Sequence, residues 1–400
     1  MSLNGAAYIV GAYEHPTRKA DALSVLRLHA DVAKGALADA GLSKDDIDGY
    51  FCAGDAPGLG TTTVAEYLGL KLRHVDSTEC GGSAPILHVA HAAAAIAAGQ
   101  CNVALITLAG RPRAAMAEAQ ARLADGKGKA PLALKPPDPD APELAFELPY
   151  GPATQNLYAI VARRHMHEFG TTSEQLAWIK VAASHHAQHN PHAMLRDVVT
   201  VADVINSPLV SDPLHRLDCC VMSDGGGALI VARPEIAMQL KRPLVKVRGT
   251  GEAPKHAMGG QIDLSYSAAA WSGPRAFAEA GVTPADIQYA SLYDSFTITV
   301  LMQLEDLGFC KKGEGGRFVA DGGLISGAGR LPFNTDGGGL CNNHPANRGG
   351  VTKVIEAVRQ LRGEAHPAVQ VTNCSLALAS GIGGALASRH TAGTLILERL

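Results

Sequence analysis

The sequence predicts a layered α/β fold built from a duplicated unit, and three observations carry that prediction. Short apolar runs alternate with helix-length amphipathic segments, the pattern of strands joined by crossover helices and paired in parallel. A helix–turn–strand signature at Ala36–Ile47 recurs at a constant offset as Ala276–Ile287. Each copy reads as an amphipathic helix stopped by a glycine, Gly41 or Gly281, then a Ser/Thr turn, then a strand. Four hundred residues, 46% hydrophobic and 18% charged, also supply enough apolar surface for one large core or two joined ones. A second echo pairs Gly225–Val231 with Gly383–Leu386, each a glycine turn entering an apolar strand, and places the meeting of the halves near Arg233–Pro243.

Taken in order, residues 6–11, 49–53 and 103–108 read as strands, with helices near 22–40 and 83–98. Between Arg111 and Glu147 the pattern fails: Pro131, Pro136, Pro137, Pro139 and Pro142 crowd a polar segment, which is expected to be a loop or lid. Helical periodicity returns at 156–169 and 173–188, the latter opened by a capping box from Thr172 to Gln175. The second half repeats strand and helix from Leu244, with helices near 268–280, 295–307 and 350–361 and a final strand at 394–397. The expected division is therefore 1–240 and 241–400, with an insertion at about 110–200 in the first half.

Charge and composition exclude several classes of function. Thirty-five basic residues against 38 acidic ones give a net charge of −3, no excess with which to neutralise a phosphate backbone, so nucleic acid is not an expected partner. The longest apolar stretch, Ala90–Ala98, is interrupted by His91 and too short to span a bilayer. The first residues carry neither a basic region nor a long apolar run, so a cytoplasmic location is expected. Eight cysteines without a C-x-x-C pair argue against a zinc ribbon or an iron–sulfur cluster. The histidines His185, His186, His189 and His192 lack the helical H-E-x-x-H arrangement and read as a solvated helix, so no metal is expected.

Four junctions hold residues suited to chemistry. Asp336–Gly350 combines glycines, which let backbone approach a ligand, with His344 held before Pro345 and a helix N-terminus after Gly349 and Gly350. Tyr293 follows a predicted strand, where open α/β sheets carry their ligands, although Asp294 or Ser295 would also serve simply as a helix cap. Cys80 stands two residues ahead of Gly82 and Ser83 at the start of the Ala-rich helix, where a thiolate would be favoured. Last, Ala379–Gly384 offers backbone N–H groups at Gly381 and Gly383 for an oxyanion hole.

Together these junctions resemble the thiolase superfamily, especially the sterol-carrier-protein thiolases and thiolase-like lipid-transfer proteins. The resemblance is firmest at Tyr293–Phe296, Gly308–Gly315, Asn334–Gly339, Asn343–Pro345 and Arg359–Gly363. It implies a duplicated five-layer α-β-α-β-α fold with an inserted loop domain, a homodimer, and coenzyme A thioesters as substrates, with no metal or redox cofactor. It also implies site residues. The thiolase nucleophile falls at Gly82, with Cys80 offset by two; the second cysteine is replaced at Ala379–Ser380; Tyr293 stands where thiolases carry Asn or His; and the histidine survives as His344 behind Asn343. Members that lack the cysteines act as retro-aldolases on β-hydroxyacyl-CoA beside a small OB-fold partner. By that analogy Tyr293 is the general base, on condition that the site depresses its pKa from about 10, and His344 with the Gly381 and Gly383 amides holds the enolate. Gly82 joins that backbone set, and Asn343 and Ser380 are the expected substrate-binding side chains. The other open route keeps Cys80 as an acyl-accepting nucleophile. A non-catalytic acyl-CoA- or lipid-binding subunit is the alternative outside enzymes.

Overall fold

The computed structural model describes residues 2–53, 56–125, 153–255, 263–385 and 388–400. The first half runs β1 (Tyr8–Glu14), α1 (Val25–Ala40), β2 (Gly49–Phe51), α2 (Thr61–Leu68), β3 (His74–Asp76), α3 (Ala84–Ala97), β4 (Val103–Gly110) and α4 (Pro112–Ala124). It continues through α5 (Thr154–Phe169), α6 (Ser173–Ala187), α7 (Val201–Ile205), the hairpin β5 (Leu209–Ser211) and β6 (Leu214–His215), and β7 (Gly225–Ala232). After α8 (Pro234–Ala237) come β8 (Val245–Lys255), α9 (Ala269–Ala280), β9 (Tyr289–Leu292), α10 (Thr297–Asp306), α11 (Gly315–Val319), α12 (Gly350–Arg362), β10 (Leu376–Ala385) and β11 (Ser388–Arg399).

Strand order exposes the duplication. The nine-stranded sheet reads β3-β2-β4-β7-β1-β8-β11-β10-β9, so β2-β4-β7-β1 is mirrored by β8-β11-β10-β9 about the β1/β8 seam. That seam is narrow: Tyr8 pairs with Lys246 and Ile9 with Val245. The repeated helix–turn unit is matched in detail. Gly41 and Gly281 stop α1 and α9 at φ 70° and 65°, the left-handed region open to glycine. In the turns that follow, Asp46 accepts from Ser43 N at 2.7 Å and Asp286 from Thr283 N at 2.8 Å.

Core composition follows the layers. One cluster packs α1 and α2 on the outer face of the first strands, through Val32, Tyr50, Leu105 and Ile230. A second encloses α3 and α12 between the inner faces of both sets of strands, through Val89, Ile106, Val354 and Leu395. The third sets α5, α6, α9 and α10 against the far face of the second strands, through Ile179, Phe277, Leu301 and Ile396. This is the expected five-layer arrangement, and α3 is buried nearly all round because it has sheet on both sides.

Several expectations need correction. Parallel pairing holds for β2 with β3 and β4 and for β9 with β10, whereas β1, β7, β8 and β11 pair antiparallel. The final strand has 12 residues, since β11 lies between β10 and β8 and is paired along both edges. The start of the Pro-rich excursion forms α4 instead of a loop, and the prolines at 131–142 lie outside the described residues. The helix bearing His185 and His186 is buried among three neighbouring helices and the 338–342 turn, with His186 Nε2 accepting from Ser326 N at 2.9 Å, so it is not a solvated face. Among the described residues, no helix is long and apolar enough to cross a membrane.

Candidate active site

Three strand-to-helix corners meet the glycine-rich end of β10 around a cavity of about 400 Å³, lined in part by Gly82, Tyr158, Cys220, Tyr293, His344 and Gly383. Tyr293 leaves β9 with its N–H donating to Ser380 O at 3.0 Å, and Gln303 Nε2 donates to its carbonyl at 2.7 Å. Those bonds fix its backbone, and its ring lies against the imidazole of His344, 5.4 Å away between centroids and tilted by 54°. The hydroxyl donates to Ala346 O over a long 3.4 Å. Burial pushes this phenol well above the ordinary tyrosine value, and Cys220, Tyr158 and Asp294 push the same way. The expectation of a depressed tyrosine is thus reversed, because a phenolate here would be desolvated among groups that carry or can develop negative charge.

His344 is presented by a network behind it. Its N–H donates to Ser223 Oγ at 2.8 Å, Ser223 donates to Asn343 Oδ1 at 2.7 Å, and Asn343 Nδ2 donates to Glu14 Oε1 at 2.9 Å. Burial alone would raise Glu14, but the Arg18 and Arg359 guanidiniums outweigh it and hold the carboxyl at about 2. His344 Nε2 is shielded from solvent and has no hydrogen-bond partner among the described residues. Burial lowers the imidazole to about 4, assisted by Lys353 and opposed by Asp294, so the ring is neutral near pH 7 and can donate without carrying charge.

Asp294 does not cap a helix, nor does Ser295: Phe296 holds the N-cap position of α10. The Asp294 carboxylate instead accepts from Gly339 N at 2.8 Å, Leu340 N at 3.1 Å and Lys353 Nζ at 2.8 Å. It thereby fastens the turn leading to His344 onto the end of β9. Local sequence could not reveal this, since all three partners are more than forty residues away.

The glycines have a steric explanation. A Cβ on Gly82 would lie 2.3 Å from Tyr293 Cζ and 2.6 Å from Ile382 O; one on Gly383 would lie 1.8 Å from Cys80 O; and one on Gly381 would lie 2.6 Å from Gly82 O. The 80–83 turn is pressed directly onto the β10 backbone. Gly350 abuts the Gly82 carbonyl in the same way, at 2.2 Å for a Cβ, so the start of α12 is closed by backbone and is not open to an anion.

Four expected site residues do not line the cavity. Cys80 is turned toward Ser83, whose Oγ lies 3.2 Å from its sulfur, and burial raises the thiol above its ordinary value. Asn343 is fully buried and committed to Glu14 and Ser223, so it supports His344 and cannot reach a substrate. Ser380 is buried in β10 with its Oγ unpartnered among the described residues, and Gly381 lies beneath the Gly82 turn. Conversely, Tyr158 and Cys220 line the cavity unheralded by any motif. Among the described residues, no group of three or more His, Cys, Asp or Glu is placed to hold a metal.

Comparison with known proteins places these features in context. Residues 251–399 match the family model Thiolase C-terminal domain-like. Over 95% of its length the chain is 36% identical to the 17-hydroxy-3-oxo-4-pregnene-20-carboxyl-CoA lyase of Mycobacterium tuberculosis, covering 98% of that protein. It is 35% identical to the steroid side-chain-cleaving aldolase of Thermomonospora curvata, with 95% of this chain and 96% of that one aligned. It is also 33% identical to an acetyl-CoA acetyltransferase of Methanothermobacter thermautotrophicus, over 88% and 89%. Among solved structures, the Ltp2-ChsH2(DUF35) aldolase superposes with a TM-score of 0.86 at 32% identity, covering 99% of this chain and 98% of that one. An SCP2-thiolase-like protein of Mycobacterium smegmatis shares the fold, with a TM-score of 0.73 at 19% identity over 98% and 77% of the two chains.

Proposed function

The chain belongs to the thiolase superfamily, in its SCP2-thiolase-like branch, and from that premise we propose that it cleaves a β-hydroxyacyl-CoA by a retro-aldol route. Carbon–carbon bond chemistry on acyl-CoA thioesters is common to the lyase, aldolase and acetyltransferase relatives and is the activity of this chain. The observation that carries the finer reading is the occupation of the nucleophile's place. Gly82 stands there without a side chain because the Tyr293 ring fills the space, and the nearby Cys80 sulfur faces elsewhere. The absence of a thiol at that corner, with burial raising the cavity-lining Cys220 well above its ordinary value, supports a route without a covalent acyl-enzyme.

In the proposed step the phenolate form of Tyr293, a small fraction because burial holds the phenol high, accepts the β-hydroxyl proton, the Cα–Cβ bond breaks to leave a ketone or aldehyde, and the bond's electron pair moves into a thioester enolate. His344 Nε2–H donates to the enolate oxygen, and the backbone at Gly383 borders the same position. A proton delivered to Cα, balanced by loss of the one Tyr293 has taken up, then releases a shortened acyl-CoA and restores the phenolate. Because burial holds the Tyr293 phenol high, the proton-accepting form grows with pH and the rate should climb through the neutral range without levelling by pH 9.

The 240/241 boundary between the halves, a homodimer, a small OB-fold partner and a cytoplasmic location belong to the same proposal. The mirrored strand order supports the boundary, and the aldolase complex among the structural neighbours supports the partner. The test is cleavage of β-hydroxyacyl-CoA thioesters, with and without an OB-fold partner, followed by release of the carbonyl product. Activity that survives Cys80→Ala and is lost in Tyr293→Phe is expected. Thiolysis of a β-ketoacyl-CoA that Cys80→Ala abolishes would overturn the reading.

A further inference from the structure

We propose that Tyr158 is a positioning residue for the Gly383–Gly384 border of the cavity, acting on the enolate side of the reaction. The inference rests on the retro-aldol reading and assigns a role to a side chain from outside the sheet. Tyr158 comes from α5, is only 3% exposed, and lines the cavity beside Tyr293. Its hydroxyl donates to Gly384 O at 3.0 Å, and its ring stacks on Phe296 with centroids 4.8 Å apart and planes 28° apart.

Those two contacts act as a strut. Gly383 and Gly384 have no side chains to anchor them, Gly384 sits at φ 80°, and the β10–β11 register slips between Gly384 and Ala385. The ladder pairs Gly383 with Thr391 and Gly384 with His390, so the freedom left is at Gly384, where the positive φ and the register slip leave the backbone more than one state. The hydrogen bond from Tyr158 selects one of them, and the stack on Phe296 fixes Tyr158 in turn to the start of α10, a few residues beyond Tyr293. The β10 edge, the proton-accepting tyrosine and α5 are therefore held in one geometry. Burial raises the Tyr158 phenol far above neutral pH, so it stays protonated and keeps donating while Tyr293 works.

Tyr158→Phe keeps the stack and removes only the hydrogen bond. The experiment compares it with wild type for kcat and KM on a β-hydroxyacyl-CoA, for Tm, and for exchange of the Cα protons of acetyl-CoA with deuterated solvent, in which one C–H proton leaves and one deuteron returns. A roughly tenfold fall in kcat and in exchange, with KM and Tm unmoved, is expected for a lost positioning contact. An unchanged kcat and exchange, or a fall in both that simply tracks a lowered Tm, would overturn the inference and leave the retro-aldol reading standing. If wild type cleaves no β-hydroxyacyl-CoA, the reading fails, and the exchange comparison alone decides the role of Tyr158: slower exchange in the variant supports it, and equal exchange overturns it.

Discussion

Gly82→Ala is the sharpest perturbation the site offers, because it adds one methyl where the structure has no room. Gly82 is not among the residues held at positive φ, so alanine brings no backbone strain and any effect reports packing. The new Cβ would meet Tyr293 Cζ at 2.3 Å, Cε2 at 2.4 Å and Ile382 O at 2.6 Å. Carbon atoms in contact rest about 3.5–4.0 Å apart, so the ring must retreat by roughly 1 Å. That retreat would break its hydroxyl contact with Ala346 O, already long at 3.4 Å. Overpacking of this size costs about 1–3 kcal/mol, and a 1 Å displacement of a reacting group costs on the order of 100-fold in rate. Thermal melting and kcat/KM for the β-hydroxyacyl substrate should accordingly show a modest loss of Tm beside a much larger loss of rate. Repeating the substitution in a Tyr293→Ala background isolates the ring's share, and a stability coupling of about 1–3 kcal/mol is expected between the two sites. If Gly82→Ala is equally damaging with and without the ring, the Ile382 carbonyl is the true obstacle and Tyr293 does not occupy the nucleophile's place.

Two further outcomes follow from buried charge. Lys353→Met removes the cation from Asp294 and leaves a buried carboxylate held only by backbone amides; destabilisation of about 3–5 kcal/mol is expected from chemical denaturation, together with loss of the His344 geometry. Burial lowers His29, His88 and His186 each to about 4, below the ordinary 6.5, so the folded protein refuses protons that the unfolded chain accepts. Stability should be fully present above pH 6.5 and fall as pH drops toward 4, by up to about 3 kcal/mol for each ring. Denaturant midpoints between pH 7 and 4.5 measure this, and a flat profile would contradict the buried neutral rings.

Much of the architecture was legible because it is written in short-range signals. The stops at Gly41 and Gly281, the Ser43 and Thr283 turns and the apolar strands each depend on neighbours a few residues away. The site was legible only in outline. Tyr293, His344, Gly82 and Gly383 were found through their junctions, and all four line the cavity. What those residues do was set by distant partners: Tyr293 is raised by burial instead of lowered, Asn343 is consumed by Glu14 and Ser223, and Asp294 turns from a helix start to Lys353. Tyr158 carried no motif at all, since its significance lies in meeting Gly384, far along the chain.

The close contact between Gly82 and Gly350 has a consequence for how such a protein can change. The first residue of α12 sits against the turn that opens α3, where a Cβ on Gly350 would lie 2.2 Å from Gly82 O and 3.0 Å from the Pro85 ring. A side chain added at Gly350 would therefore have to displace the turn before α3, and with it the Gly82 backbone that packs on Tyr293 and β10. Room to alter what the cavity admits lies instead at its rim, where Thr154 and Gln155 at the start of α5 and Val210 of β5 line it.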